Sequence, residues 1–320
     1  MKVGVIGTGS MGENHVRTYT SLSGYCQLVG IYDSNKNRGL EVANKYQIKQ
    51  FESITELLQL VDVVSIAVPT EYHYEIGLAC IQHKVHMLME KPIARTVAEA
   101  KILIKKANEA GVKIQVGHIE LYNPMINVLK NILINEQVIA IDVHRMNPYD
   151  PRVLKIDVVH DLMIHDMYIL NELLKDEIID FYAMGKTIDG TNKHAIVGTK
   201  FSNGIIAQLT ASFKSAEKIR TINIVTEKGL IKGDLLNKKI EIIRSPECYM
   251  KLEKNYTPHS IIESIEFPYN EPLKLQLIDF INCVKNDTTP LVTGKDGLKA
   301  LTICNKISEF MNNLSNHSKN

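Results

Sequence analysis

Short apolar runs rich in β-branched residues, at positions 3–6, 27–32, 62–68, 85–89 and 113–117, are separated by segments whose apolar residues recur at helical spacing. Unbroken runs of this kind suit strands buried on both faces of a parallel sheet. Ser53 with Glu56, and Thr96 with Glu99, have the spacing of capping boxes, so each should open a helix, and Gly111 should end the second. Alternation of this kind predicts a doubly wound α/β sheet with right-handed crossovers, the Rossmann arrangement, over residues 1–118. From 119 onward the texture changes. Positions 124–135, 158–174, 273–284 and 298–311 read as helices, and 138–146, 219–225 and 240–243 as strands. Residues 195–201 and 205–213 flank Ser202-Asn203-Gly204 and read as a hairpin. Residues 119–320 are therefore expected to form an α+β domain, an open and mostly antiparallel sheet with helices on one face. The last helix is placed to pack back onto the first domain.

Composition narrows the partners. A chain of 320 residues is long for one core, and two domains are the better expectation. Lys and Arg number 37 against 36 Asp and Glu, so there is no electrostatic reason to expect nucleic acid or an anionic membrane. The five cysteines, Cys26, Cys80, Cys248, Cys283 and Cys304, show neither metal nor disulfide spacing, which suits a reducing cytoplasm. No signal peptide or membrane-spanning run is read, and the polar end from Asn312 is expected to fray.

The first run breaks into Gly7-Thr8-Gly9-Ser10-Met11-Gly12, a Gly-x-Gly-x-x-Gly turn between strand and helix. Gly7 permits the turn, Gly9 lets a pyrophosphate approach the backbone, and Gly12 lets the helix pack on the strand. The free N–H groups of Ser10, Met11 and Gly12 would then meet the anion at the positive end of the helix. The second run ends in Asp33, at the spacing where a carboxylate takes the ribose hydroxyls. Asp33 would repel a ribose phosphate, so NAD is expected, while Arg38 nearby keeps NADP open. An ordinary turn carboxylate is the competing reading of Asp33. In such a sheet the ligand lies beyond the C-terminal strand ends, which directs attention to Pro69, Thr70 and His73, to Glu90-Lys91-Pro92, and to Gly117-His118.

Lys91, held between a buried strand and a proline, can steer the proton of a hydroxyl losing hydride or stabilise the developing alkoxide. A solvated strand-end lysine is the plainer alternative. Asp161 and His165, four apart on a helix, share a face, with Asp157 one turn earlier. A carboxylate near an imidazole fixes its tautomer for proton transfer. The same three residues could ligate a metal or serve core packing; no metal is expected, since lysine-assisted hydride transfer needs none.

Gly-x-Gly-x-x-Gly with Asp33, then Glu90-Lys91-Pro92, then Asp161 and His165 resembles the Gfo/Idh/MocA family of NAD(P)-dependent sugar dehydrogenases. The resemblance covers essentially the whole chain. It implies a nucleotide-binding domain, a substrate domain whose open sheet mediates homodimers or homotetramers, and Lys91 and His165 facing the substrate carbon and nicotinamide. His73 matches a family position near the nicotinamide, with a polar loop histidine as the alternative; Pro69, Thr70 and Glu90 at the strand ends are expected to contact the nucleotide, and His118 to line the cleft. Met163 and Tyr168 stand where the family pattern carries a glycine and an acid, so a substrate role for that acid is in doubt. Residues 116–124, with His118, Tyr122 and Asn123, and residues 157–166 are similar to the UDP-N-acetylglucosamine 3-dehydrogenase subgroup, with Glu120 differing from its frequent arginine. A nucleotide-sugar substrate would need cations for its diphosphate. Arg145, Arg152 and Lys155 could supply them, with Tyr122 or Tyr149 under the uracil; a solvated basic loop is the equal alternative. An inositol or free-sugar dehydrogenase and a non-catalytic NAD-binding sensor remain as other readings.

Overall fold

Strand β1 (Lys2–Ile6) is buried from Val3 onward because Val3, Gly4, Val5 and Ile6 carry no polar side-chain atom on either face. In the computed structural model it pairs in parallel with β2 (Gln27–Tyr32) on one side and β4 (Val63–Ile66) on the other. The structure describes residues 1–244, 260–267 and 270–317; Cys248, the end of the polar tail and the side chain of Arg152 lie outside the described set. Beyond β2 comes the short β3 (Lys49–Gln50), and beyond β4 come β5 (His86–Met89) and β6 (Ile114–Val116), giving the order β3-β2-β1-β4-β5-β6 with parallel pairing throughout. The order reverses between β1 and β4, and at such a switch point the connecting loops part to leave a crevice at the C-terminal strand ends. Helices α1 (Ser10–Thr20), α2 (Lys36–Tyr46), α3 (Ile54–Leu58), α4 (His73–Gln82) and α5 (Val97–Ala110) make the crossovers.

Local signals account for the helix ends. Thr96 and Glu99 form the full reciprocal capping box, and Gly111, left-handed at φ 68°, closes α5. A cap of this kind contributes about 1 kcal/mol. The Ser53 hydroxyl accepts from the Glu56 N–H at the start of α3.

The chain forms two compact units. The first comprises residues 1–122 and 270–302, the second 123–269 and 303–320. The return of a later segment to the first unit has a plain cause. Leu273, Leu277, Phe280 and Ile281 of the helix Pro272–Lys285 are buried in one core with Val3, Val5, Val16, Tyr19 and Leu22.

The second unit is built on a sheet in the order β14-β13-β12-β11-β7-β10-β9-β8. Helix α6 (Pro124–Leu133) leads into β7 (Val138–Pro148), and α7 (Ile164–Leu174) precedes β8 (Ile178–Ile188). Then follow β9 (Thr191–Phe201), β10 (Ile206–Ser215), β11 (Ile219–Thr226), β12 (Gly229–Asp234), β13 (Lys239–Arg244) and β14 (Ile261–Glu266). All described pairings are antiparallel except β7 with β10. The β9–β10 hairpin turns on Gly204 at φ 90°, with the Phe201 N–H donating to the Ile205 carbonyl. Alternation along β7 buries Ile141, Val143 and Arg145. The other face of the sheet shows Ile139, Tyr182, Met184, Ile206 and Val225, each more than 40% exposed, around a shallow depression of about 770 Å³. Helices α8 (Pro272–Lys285) and α9 (Gly294–His317) end the described chain.

Candidate active site

The glycine turn is shaped for a nucleotide. Gly7 sits at φ 87°, a backbone state that favours glycine, and its N–H donates to the Tyr32 carbonyl. A Cβ at Gly12 would stand 1.9 Å from the Gly7 carbonyl oxygen, so only glycine lets α1 approach the turn. A Cβ at Gly9 would meet nothing within 4 Å, and Gly9 and Ser10 are exposed. Helix α1 starts without a side-chain cap, which leaves its first N–H groups, including those of Ser10 and Met11, directed at that open space.

Asp33 leaves β2 and ties down this turn. Its Oδ2 accepts from the Thr8 N–H at 2.6 Å and the Thr8 hydroxyl at 2.7 Å, and its Oδ1 accepts from the Asn35 N–H at 2.8 Å. An ionised carboxylate takes about four hydrogen bonds, so capacity remains for a ribose hydroxyl. Arg38 is engaged otherwise than its sequence position suggests. It donates to the Thr8 carbonyl at 2.9 Å and pairs with Glu13 and Glu41, so its guanidinium is committed to protein partners and not held out for a ribose phosphate. Hydrogen bonds from Lys45 and then Arg38 hold the Glu13 carboxyl down at about 2, so the cluster stays ionised across the neutral range. The pocket features thus fit NAD: an uncapped helix start, glycine at the contact point, and a carboxylate in place of a cation.

Three strand ends surround this turn in sequence topology. After β4, Pro69 opens the short turn Thr70–Tyr72, with Pro69 exposed and Thr70 half-buried. His73 is buried, and its ring nitrogens lie 2.8 Å from the Pro92 carbonyl and 3.0 Å from the Val68 carbonyl. Burial pushes its pKa down, against the two carbonyl contacts. His73 thus sits between the β4 and β5 ends, with one ring nitrogen near each carbonyl. After β5, Glu90 and Lys91 are half-buried and the Lys91–Pro92 peptide is cis. After β6, His118 is 1% exposed, and burial with the nearby charge of Lys91 drives its pKa down to about 3. A histidine held neutral in this way is a poor proton acceptor near neutral pH.

Tyr122 lies elsewhere than under a base. It is buried, its hydroxyl donating to Asp279 at 2.7 Å and accepting from Gln115 at 3.1 Å, so it fastens the end of the first unit. Asn123 caps α6, its Oδ1 accepting from the Met125 N–H.

In the second unit the helix carrying Asp161 and His165 departs from the regular pattern. Val159–Met163 is a π-helical turn, continued as α7 from Ile164. Such turns insert one residue and recur at functional sites. Asp157 stands before it, its Oδ1 accepting from the Val159 N–H at 2.8 Å and its Oδ2 from Asn192 at 2.8 Å. Burial would raise its pKa, but hydrogen bonds from His160, Asn192 and Val159 outweigh burial and hold it below the ordinary value. Asp157 is thus a structural carboxylate, and among the described residues no group of three or more His, Cys, Asp or Glu side chains could hold a metal. His165 and Asp161 are half-buried, while Met163 and Tyr168 are buried, so Tyr168 fills core where the family pattern has an acid.

Arg145 differs from the diphosphate ligand suggested by its sequence. It is 1% exposed and grips Asp166 with Nε at 2.8 and 3.0 Å from the two carboxylate oxygens and an Nη at 2.8 Å. This pair binds α7 to β7, and breaking such a buried pair typically costs about 3–5 kcal/mol. The loop after β7 is held by another buried cation. Lys193, 0% exposed, donates to the carbonyls of Val153, Leu154 and Ile156 at 2.6, 2.7 and 3.0 Å. That loop borders a cavity of about 500 Å³ lined by Asn147, Tyr149, Asp150, Asp161, Phe213 and Lys218, among others. The ring of Tyr149 is 43% exposed, with the Lys214 ammonium 3.8 Å from its centre. Tyr149, Lys218 and the carboxylates of Asp150 and Asp161 line the cavity, and Lys214 sits beside it on the Tyr149 ring, so a ligand there would meet an aromatic ring, cations and acceptors for hydroxyls. Lys155 is exposed and does not line this cavity.

Comparison with known proteins identifies the family. Residues 1–118 match the oxidoreductase family with NAD-binding Rossmann fold, and residues 140–232 match the Gfo/Idh/MocA C-terminal domain. The UDP-N-acetylglucosamine 3-dehydrogenase of Acidithiobacillus ferrooxidans is 30% identical over 302 residues, 94% of each chain. The chain belongs to the Gfo/Idh/MocA oxidoreductase family. It is accordingly an NAD-dependent oxidoreductase acting on a CH–OH group. A solved structure of that A. ferrooxidans dehydrogenase superposes with a TM-score of 0.89 at 29% identity, covering 97% of each chain. The myo-inositol 2-dehydrogenase of Thermotoga maritima is 24% identical over 95% of this chain and 94% of its own. A levoglucosan dehydrogenase solved with NADH shares the fold at a TM-score of 0.86 and 16% identity. No helix among the described residues is long and apolar enough to cross a membrane.

The side chains that sequence reasoning missed in this oxidoreductase are Asp166, Lys193, Lys214 and Lys218. Asp166 carried one usable signal, a charge in the apolar stretch from Leu162 to Leu170 that burial would leave unpaired without a cation.

Proposed function

We propose that this oxidoreductase oxidises the C3 hydroxyl of a UDP-linked N-acetyl sugar to the ketone, with NAD+ as acceptor. The observation that carries the reading is the 30% identity to a UDP-N-acetylglucosamine 3-dehydrogenase, sustained over 94% of both chains. The cavity bordered by Tyr149, Lys218 and Asp161 supports it, because those groups match a uracil, a diphosphate and sugar hydroxyls. NAD+ bound at the glycine turn supplies the acceptor for the hydride from C3. The hydroxyl proton passes to Lys91 or His165 and on to solvent, giving NADH, a proton and the ketone. Asp161 orients the imidazole or a sugar hydroxyl. Ser10, Met11 and Asp33 hold the pyrophosphate and ribose, Pro69, Thr70 and Glu90 border the nicotinamide, and the neutral His118 lines the cleft.

Arg38, Tyr122 and Arg145, with their partners inside the protein, are left out of this ligand set. We propose also that copies of the chain associate through the outer face of the second sheet, where Tyr182, Met184 and Ile206 stand exposed among polar residues such as Asp142, Gln208 and Asn223.

Purified protein with NAD+ should form NADH, read at its near-ultraviolet absorbance, with UDP-N-acetylglucosamine and at least tenfold more slowly with glucose, glucose 6-phosphate or myo-inositol. Faster reduction with myo-inositol than with the nucleotide sugar would transfer the assignment to the cyclitol dehydrogenases.

A further inference from the structure

The helix that starts at the glycine turn carries a buried histidine three residues past Gly12. His15 is 0% exposed, and its Nε2 lies 3.0 Å from Oε1 of Glu90. Its Nδ1 is buried without a hydrogen-bond partner. Glu90 is the residue before Lys91, and its side chain is 13% exposed. The second carboxylate oxygen, Oε2, accepts the Lys91 N–H at 3.3 Å. The same carboxylate stands against Gly117, where an added Cβ would come within 2.8 Å of Oε2. Glu90 is therefore gripped from three sides: by the nucleotide-binding helix, by the backbone of Lys91, and by the strand end that leads to His118.

This arrangement is costly to keep if it serves packing alone. A buried ring nitrogen without a partner costs about 1–3 kcal/mol, and an apolar side chain at position 15 would remove that cost. What the histidine supplies is a donor to one particular carboxylate oxygen. That leaves the other oxygen to face the Lys91 amide.

We propose that His15 is a positioning residue, linking α1 to Glu90 so that the Lys91 main chain is fixed relative to the glycine turn. The inference rests on the reading of Lys91 as the group that handles the substrate proton. In the Nε2–H tautomer the ring donates to Glu90 Oε1 and the carboxylate accepts the Lys91 N–H, so the backbone from which the lysine side chain springs is fixed relative to α1.

The test compares His15→Gln, whose amide nitrogen reaches the place of Nε2, with His15→Asn, whose amide reaches only the place of Nδ1, and with His15→Leu. Turnover at saturating NAD+ should fall ten- to a hundredfold in the Asn and Leu variants and stay within about threefold of wild type in the Gln variant. NADH affinity, by fluorescence titration, should change less than threefold in all three, which separates positioning from cofactor binding. If Leu prevents folding, the Gln and Asn pair alone decides the matter, since both keep polarity. Equal losses in Gln and Asn, or Asn turnover within twofold of wild type, overturn the proposal.

The same substitutions made on Lys91→Met keep the two readings apart. Loss caused by His15→Asn should vanish in that background. A Lys91→Met enzyme with normal turnover sinks the lysine reading itself. A dead Lys91→Met enzyme beside a fully active His15→Asn enzyme sinks only the histidine proposal.

Discussion

Lys91→Met should lower turnover by 10²- to 10⁴-fold while leaving the affinity for NADH within about threefold. Lys91 is half-buried at the end of β5, and methionine matches the length of its aliphatic stem, so the strand end should keep its shape. What disappears, on the proposed mechanism, is the amino group that accepts the hydroxyl proton as a free amine or steers it as an ammonium. Positioned proton transfer of this kind contributes about 10²- to 10⁴-fold, or about 3–5 kcal/mol of barrier. The nucleotide should still bind, because its main anchors belong to the glycine turn and to Asp33. Steady-state NADH formation beside a fluorescence titration of NADH separates the two quantities. Turnover within threefold of wild type would show that Lys91 handles no proton.

Gly12→Ala should reduce NAD affinity at least a hundredfold and lower the melting temperature, whereas Gly9→Ala should reduce affinity with little change in stability. The new Cβ at position 12 would lie 1.9 Å from the Gly7 carbonyl oxygen, far inside contact distance. Either α1 moves away or the Gly7 turn opens. Both disturb the N–H groups of Ser10 and Met11, and a hundredfold loss corresponds to about 3 kcal/mol. At Gly9 the added methyl meets no protein atom within 4 Å, and the backbone, at φ −60° and ψ −168°, is open to alanine. Its methyl instead occupies the space through which a pyrophosphate would approach the backbone. Calorimetry of NADH binding beside thermal unfolding checks the pair. If Gly9→Ala destabilised the protein as much as Gly12→Ala, the open space at Gly9 would not be a ligand's.

Both predictions rest on features that were legible in the sequence because their causes are local. The Gly7–Gly12 spacing, the Asp33 strand end, the capping box at Thr96 and the left-handed stop at Gly111 each depend on residues within one turn or one βαβ unit. Features decided by distant partners were not legible. Arg145 reads as a free cation until folding brings Asp166, 21 positions later, against it. Tyr122 reads as a ring for a base to stack on until Asp279, 157 positions on, takes its hydroxyl.

Strands β8, β12 and β14 were not legible in the sequence, and in two of these alternation is absent. Strand β14 is exposed at five of its six positions, and β8 buries only Ala183 among eleven, so neither shows a period of two. The π-helical turn at Val159–Met163 arises from one extra residue in a helix, which leaves no mark on an apolar run. The four-residue spacing of Asp161 and His165 was visible; the turn that carries Asp161 was not. Lys193, two positions before the strand read from Ala195, carries no sequence signal of burial, and only the folded loop supplies the three carbonyls that explain it.

The most direct test of the central claim follows the hydrogen itself. UDP-N-acetylglucosamine carrying deuterium at C3 should pass that deuterium to the nicotinamide C4 of NADH, detected by mass spectrometry of the isolated nucleotide, while substrate labelled at C4 of the sugar should give unlabelled NADH. Deuterium arriving from the C4-labelled sugar, or unlabelled NADH from the C3-labelled one, would contradict the account.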